Sequence, residues 1–260
     1  MQCKNCDNNL RTDFSFCPAC GAKVVRKRIT LKNLFYDVVE RYLNVDNTFL
    51  KTVFHMISKP QYVADGYISG VRRKYLNPIS YIAIALFLSG ISVLIMRKYA
   101  WDKIDFSVLA GQANGEGMRK TLEFTMDYNN LIYLLYVPVI AIGGIALFNK
   151  KNYNISEHII IGLYILATFS LISSIIAIAW LIIHPENYFN SSYYVIAAML
   201  FYSLYVYIKI SPFDRSATIF RSLGYMLLFF FGFLGVGIVI NILLLVFGVV
   251  EFQDFLPKKA

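Results

Sequence analysis

Charge is what this chain has least of. Lysine, arginine, aspartate and glutamate make up 16% of its 260 residues, and 57% are apolar. Soluble domains run at about 25% charged and about 45–50% apolar. The missing charge is withdrawn from long blocks rather than thinned evenly, which excludes an ordinary soluble domain and points to a chain solvated by lipid. Histidine occurs only at His55, His158 and His184, and no H-E-x-x-H, phosphate-binding loop or nucleophile elbow is present. No catalytic residue is therefore expected, and no enzyme. The first twenty residues hold no apolar h-region, so no cleaved secretory signal is expected there. The first apolar block then serves as the insertion signal and leaves the residues before it in the cytoplasm.

Cysteine is absent after residue 20, yet four lie before it: Cys3-x-x-Cys6, ten residues, then Cys17-x-x-Cys20. A C-x-x-C pair presents two thiolates from one tight turn, and two such turns complete a tetrahedral sulfur shell. Zinc is the expected ion, bound by Cys3, Cys6, Cys17 and Cys20, and structural because a closed S4 site leaves no open position. Gly21 follows the second pair, where a positive φ is wanted. Disulfides would need an oxidising compartment, which a cytoplasmic head does not offer. Lys4, Asn5 and Arg11 are too few for nucleic-acid binding, so a protein partner is the expected contact.

A spanning helix needs about 20 apolar residues. Five blocks qualify, near 78–96, 131–148, 159–183, 193–210 and 223–250. The expected fold is an all-α integral membrane bundle of about five spans with a small N-terminal zinc ribbon. The ribbon occupies 1–23, a basic linker and amphipathic juxtamembrane helices 24–77, and the bundle 78–250. Residues 97–130 are read as an extracytoplasmic loop and 251–260 as a tail. With the N-terminus inside, the cytoplasmic segments hold 18 lysines and arginines and the outer segments 7. That asymmetry favours a cytoplasmic N-terminus in a bacterial inner membrane. The last block is long enough for one tilted span, with a re-entrant hairpin at Gly232, Gly235 and Gly237 as the alternative.

Between ribbon and membrane, Lys23-x-x-Arg26-Lys27-Arg28 forms a basic linker. From Thr30, residues Leu31, Leu34, Phe35, Val38, Val39 and Tyr42 mark one helical face. A second amphipathic stretch carries Phe49, Leu50, Val53, Phe54 and Ile57, and Lys59-Pro60 is read as its stop. These helices either lie in the membrane interface or pack on the mouth of the bundle. Arg72, Arg73 and Lys74 stand just before the first span, where they enforce topology or contact anionic lipid. Gly70 and its flanking tyrosines suggest a defined turn.

The ribbon, the basic linker, and the run Pro60…Tyr67-x-x-Gly70-x-Arg72-x-x-Tyr75-x-x-Pro78 leading into a hydrophobic bundle, with Glu157-His158 opening a later span, together resemble a bacterial family of zinc-ribbon membrane proteins of unknown function. The resemblance implies the fold and the zinc and brings no activity. Val71 stands where a basic residue would be expected.

Inside the spans, ionisable residues are the default functional candidates. Glu157 and His158 form the one polar site considered, although neighbours on a helix point about 100° apart and do not grip one ion together. Tyr202 and Tyr205 share a face and would line any polar groove. Asn241 is read as glue between helices. The leading function is a non-catalytic multi-pass protein whose ribbon contacts a partner while the bundle anchors it in lipid. The alternative is a transporter or channel for a small or lipidic solute, motivated by Pro138, Gly143, Gly144 and the glycines of the last span.

Overall fold

A computed structural model describes residues 2–3, 5–21, 24, 48–99, 101, 115–183 and 188–248. For 115–119, 122 and 188–193 the backbone alone is described. The basic linker, the stretch Thr30–Tyr42, His184 and the tail 251–260 lie outside these residues. The chain divides into two compact units, Met1–Asp46 and Asn47–Ala260.

In the second unit the described residues form the helices α1 (Thr48–Ser58), α2 (Pro60–Ile68), α3 (Pro78–Tyr99), α4 (Gly115–Asp127), α5 (Asn129–Leu134), α6 (Tyr136–Leu147), α7 (Ile155–Ile183), α8 (Tyr188–Ile210) and α9 (Arg215–Val246). Four apolar stretches are long enough to cross a membrane: α3, α5 with α6, α7, and α9. α8 has 23 residues and is apolar over Tyr194–Ile210, so the spans number four to five. The fold is the expected all-helical membrane bundle, with a cysteine cluster ahead of it.

The helix boundaries follow from local chemistry. Asn77 caps α3, its side-chain oxygen taking the Ser80 N–H at 2.8 Å, and Pro78 fills the first-turn position where no N–H is needed. Asn154 and Glu157 cap α7 reciprocally: Glu157 N–H donates to Asn154 Oδ1 at 2.9 Å and Asn154 N–H to Glu157 Oε2 at 2.8 Å. The second span breaks between α5 and α6 at Leu135. Pro138 explains the break, because its ring excludes the carbonyl four residues back, that of Leu134.

Two expectations change. Pro60 does end α1, but it also opens α2, a helix the sequence pattern did not announce. The leading reading of the last block holds: α9 runs through Gly232, Gly235 and Gly237 as one helix of 32 residues, and the alternative re-entrant hairpin does not form. Each glycine costs a helix about 1 kcal/mol, whereas an unsatisfied backbone group in hydrocarbon costs several. The continuous ladder wins. Residues 115–127, inside the region read as a loop, form α4.

α7 sits at the centre. It packs against α3, α6 and α8, and most of its length is buried, including Ile161, Tyr164, Ile165, Leu166 and Phe169. α9 leans on α6 and α8 and leaves most of its surface, including Phe220, Leu227, Phe231 and Ile238, to lipid.

Candidate metal centre and the basic end of the bundle

The two C-x-x-C turns of the ribbon are built alike. Asp7 N–H donates to Cys3 O at 2.9 Å, and Gly21 N–H donates to Cys17 O at 2.8 Å. The residue after each second cysteine adopts a left-handed conformation, Gly21 with φ +70° and Asp7 with φ 57°. Glycine makes that position legible at Gly21, and aspartate is one of the few other residues that tolerate it. Leu10, with Phe14 and Val24 beside it, packs against Cys3 and Cys17 as a small apolar floor.

These turns bring Cys3, Cys6, Cys17 and Cys20 together, with all four Sγ atoms within 4.8 Å of one another. Cys3 and Cys20 are 3.7 Å apart and Cys6 and Cys17 3.6 Å. A tetrahedral shell with metal–sulfur bonds of about 2.3 Å puts neighbouring sulfurs about 3.8 Å apart, whereas a disulfide needs about 2.05 Å. The four thiols fit one metal ion and are not paired as disulfides. At Cys6 the Asn8 backbone favours the thiolate, but the crowding thiols of Cys20, Cys17 and Cys3, with burial, outweigh it and push the pKa up to about 12. A bound cation reverses that balance, since metal ligands are thiolates.

The second unit carries a set of polar contacts at one end of the bundle. α1 and α2 pack there against α7 and α8. Tyr202 donates its hydroxyl to Met56 O at 3.1 Å and Tyr205 donates to Ile57 O at 3.0 Å. The last carbonyls of a helix have no partner within it, so these two tyrosines cap α1 and do not line a groove. Thr52, fully buried, accepts the Leu76 N–H at 3.0 Å. His55 Nδ1 lies 2.7 Å from the Tyr75 hydroxyl. Tyr164 donates to Leu76 O at 2.7 Å.

α1 presents three sides. Thr52 and Met56 face the bundle; Leu50, Phe54 and Ile57 form an exposed apolar side; Lys51, His55 and Ser58 form a polar one. At 100° per residue these sides are successive sectors, which suits a helix bounded by protein, acyl chains and water. Of the two readings of the juxtamembrane helix, packing on the bundle is what these contacts show.

Gly70, φ +102°, ends α2 in a Schellman turn, with Val71 N–H donating to Gly66 O at 2.8 Å and Gly70 N–H to Tyr67 O at 3.2 Å. Val71 occupies the position after the glycine where an apolar contact is favoured, and Gly66 is its neighbour. Arg72, Arg73 and Lys74 follow on an exposed connector. The Arg72 guanidinium lies 5.7 Å from the Tyr67 ring centre and the Lys74 ammonium 5.6 Å from that of Tyr75.

This segment carries the family signal. Residues 46–90 match the model of a protein family of unknown function (DUF3667). They span α1, α2, the basic connector and the first half of α3. No curated protein and no solved structure matches the chain.

Glu157 and His158 go separate ways. Glu157 is the capping carboxylate of α7. His158 is 1% exposed, its ring centre 6.2 Å from that of Tyr153 and 5.9 Å from that of Tyr207, and neither ring nitrogen has a hydrogen-bond partner. Sequence reasoning missed Asp65, the hub beside them. It pairs with Lys151 and accepts the Tyr153 hydroxyl at 3.0 Å. Burial and the Asp65 carboxylate raise the Tyr153 pKa. The signal available was an aspartate inside the otherwise uncharged helix α2.

Three of the glycines that motivated a transport pathway, Gly143, Gly144 and Gly232, are contact seats, whereas Gly235 and Gly237 have open space beside them. A β-carbon on Gly144 would stand 2.2 Å from the Tyr207 hydroxyl, one on Gly143 2.7 Å from the Tyr225 ring, and one on Gly232 2.3 Å from Val139. Asn241 bonds back to Gly237 O of its own helix at 2.8 Å, so it is not glue between helices.

Proposed function

We propose that this is a non-catalytic multi-pass protein of the bacterial inner membrane. In this reading its N-terminus is cytoplasmic, and a zinc-bound ribbon acts as a structural head that contacts a protein partner. The observation that carries the reading is the closure of four sulfurs on one another, which leaves a metal ion no open coordination position for chemistry. The metal then holds a fold, and the ribbon's surface is what remains for function.

Orientation is supported by charge. Arg72, Arg73, Lys74, Lys150, Lys151 and Lys209 belong to the end of the bundle where α1 and α2 pack, and basic segments stay in the cytoplasm. Near an anionic surface each such cation gains about 1 kcal/mol, so Arg72, Arg73 and Lys74 are assigned to lipid headgroups. The capping role of Glu157 and the enclosure of His158 support a bundle without catalysis.

The deciding experiment is a pull-down from native membranes, with metal analysis of the same preparation. One zinc per chain and a partner lost in Cys17→Ser/Cys20→Ser agree with the reading. Retention of every co-purifying protein by that variant, or a chain purified without zinc, removes it.

A further inference from the structure

The four cysteines of the ribbon are not equivalent. Cys3 and Cys17, the first of each pair, are 4% and 2% exposed and rest on the floor of Leu10, Phe14 and Val24. Cys6 and Cys20, the second of each pair, are exposed. The same backbone bond closes both turns, from Asp7 N–H to Cys3 O and from Gly21 N–H to Cys17 O, and leaves the second cysteine on the outer side. The sulfurs also meet across the turns: Cys20 Sγ lies 3.7 Å from Cys3 Sγ, and Cys6 Sγ lies 3.6 Å from Cys17 Sγ. Each exposed sulfur thus touches a buried one from the opposite turn. A disulfide at about 2.05 Å asks each pair to close by about 1.7 Å, within reach of side-chain rotation.

We infer that Cys6 and Cys20 are oxidation sites, through which a peroxide discharges the metal and joins the turns by the disulfides Cys3–Cys20 and Cys6–Cys17. Thiol oxidation follows exposure, and a second thiol beside the first stops it at the disulfide. The thiolate of the exposed cysteine attacks one peroxide oxygen. The O–O bond breaks, hydroxide leaves, and the sulfur becomes a sulfenic acid. The buried thiolate in contact with it then attacks that sulfur, forms the S–S bond and expels a second hydroxide. Each pair loses two electrons to one peroxide, so one ribbon consumes about two. Metal ligands are thiolates, and none remains once both bonds have formed.

Pairing across the turns has a consequence that pairing within them lacks. A metal held by all four sulfurs ties one turn to the other. Cys3–Cys20 and Cys6–Cys17 keep that tie, whereas Cys3–Cys6 and Cys17–Cys20 would cut it. The oxidised ribbon therefore stays closed without its ion, and a thiol reductant returns it to the metal-binding form. The inference rests on the metal-bound ribbon of the proposed function and adds to it the reactivity of its thiols.

The test uses the full chain, purified with its metal and titrated with hydrogen peroxide. Nearly all the metal should pass to a chromophoric chelator as about two peroxides are consumed per ion, and reductant with added zinc should reverse the loss. Trypsin reads the pairing, because cleavage after Lys4, Arg11 and Lys23 puts Cys3 and Cys6 on separate peptides and Cys17 with Cys20 on a third. Bonds across the turns link all three peptides into one species, and fragmentation assigns each bond. Before oxidation, alkylation of Cys6 and Cys20 should run roughly tenfold ahead of Cys3 and Cys17. The oxidised ribbon should withstand limited proteolysis that opens the chelated one. Disulfides within the turns, sulfinic acid in place of disulfide, equal alkylation of all four cysteines, or full metal retention under peroxide overturns the inference. A chain purified without zinc that still forms the two cross-turn bonds removes the proposed function and leaves the pairing standing.

Discussion

The Tyr207 ring lies directly over Gly144. It is fully buried and donates its hydroxyl to Ile140 O at 3.1 Å, so it has nowhere to retreat. Gly144→Ala forces α6 and α8 apart at the bundle's basic end. We expect a loss of at least about 3 kcal/mol, the upper range for overpacking. Gly235 has no heavy atom within 4 Å of where a β-carbon would stand. Gly235→Ala should raise stability by about 0.5–1 kcal/mol through helix propensity. Thermal unfolding in detergent distinguishes them, and equal melting temperatures would contradict the close packing.

His158 should tolerate phenylalanine better than alanine. His158→Phe keeps the contacts with Tyr153 and Tyr207 and removes two polar atoms that have no partner. A buried unsatisfied group costs about 1–3 kcal/mol, so stability should hold or rise. His158→Ala leaves a cavity and should cost about 2–4 kcal/mol. A folded His158→Phe protein that has lost its biological role would instead assign chemistry to the ring.

Tyr202→Phe and Tyr205→Phe together uncap α1. Each hydrogen bond is worth about 1 kcal/mol, so amide exchange across Thr48–Ser58 should quicken by roughly thirtyfold while the spanning helices keep their protection. Exchange unchanged in α1 would mean that its packing alone holds it.

Removing the metal should unfold the ribbon and spare the bundle, because the two units are compact separately. In a small closed site the binding energy is folding energy. Chelation should open residues 1–21 to proteolysis while the far-ultraviolet helical signal barely falls. A ribbon that resists proteolysis after losing its metal would show that Leu10, Phe14 and Val24 suffice to hold it.

Much of the architecture was legible because its signals are local. Gly21 announced its own backbone conformation; Asp7, in the same role, did not, because aspartate occurs in many conformations. Asn77-Pro78 and Asn154-x-x-Glu157 carry helix starts within a few residues. Pro60 was read as a stop alone, since a proline that ends one helix and opens the next looks the same until the following turn packs. Asn241 was misassigned because composition cannot tell a side chain that crosses to a neighbour from one that folds onto its own backbone.

The sequence by itself determined that the chain crosses a membrane and that four thiols gather near its start. Runs of about 20 apolar residues and paired C-x-x-C turns work over short distances and need no knowledge of the fold. Only the tertiary structure decided what the polar groups do. Tyr202 meets Met56 across 146 residues and Tyr153 meets Asp65 across 88. In lipid a polar group takes whatever partner the packing brings near it, and no spacing in the sequence records that choice.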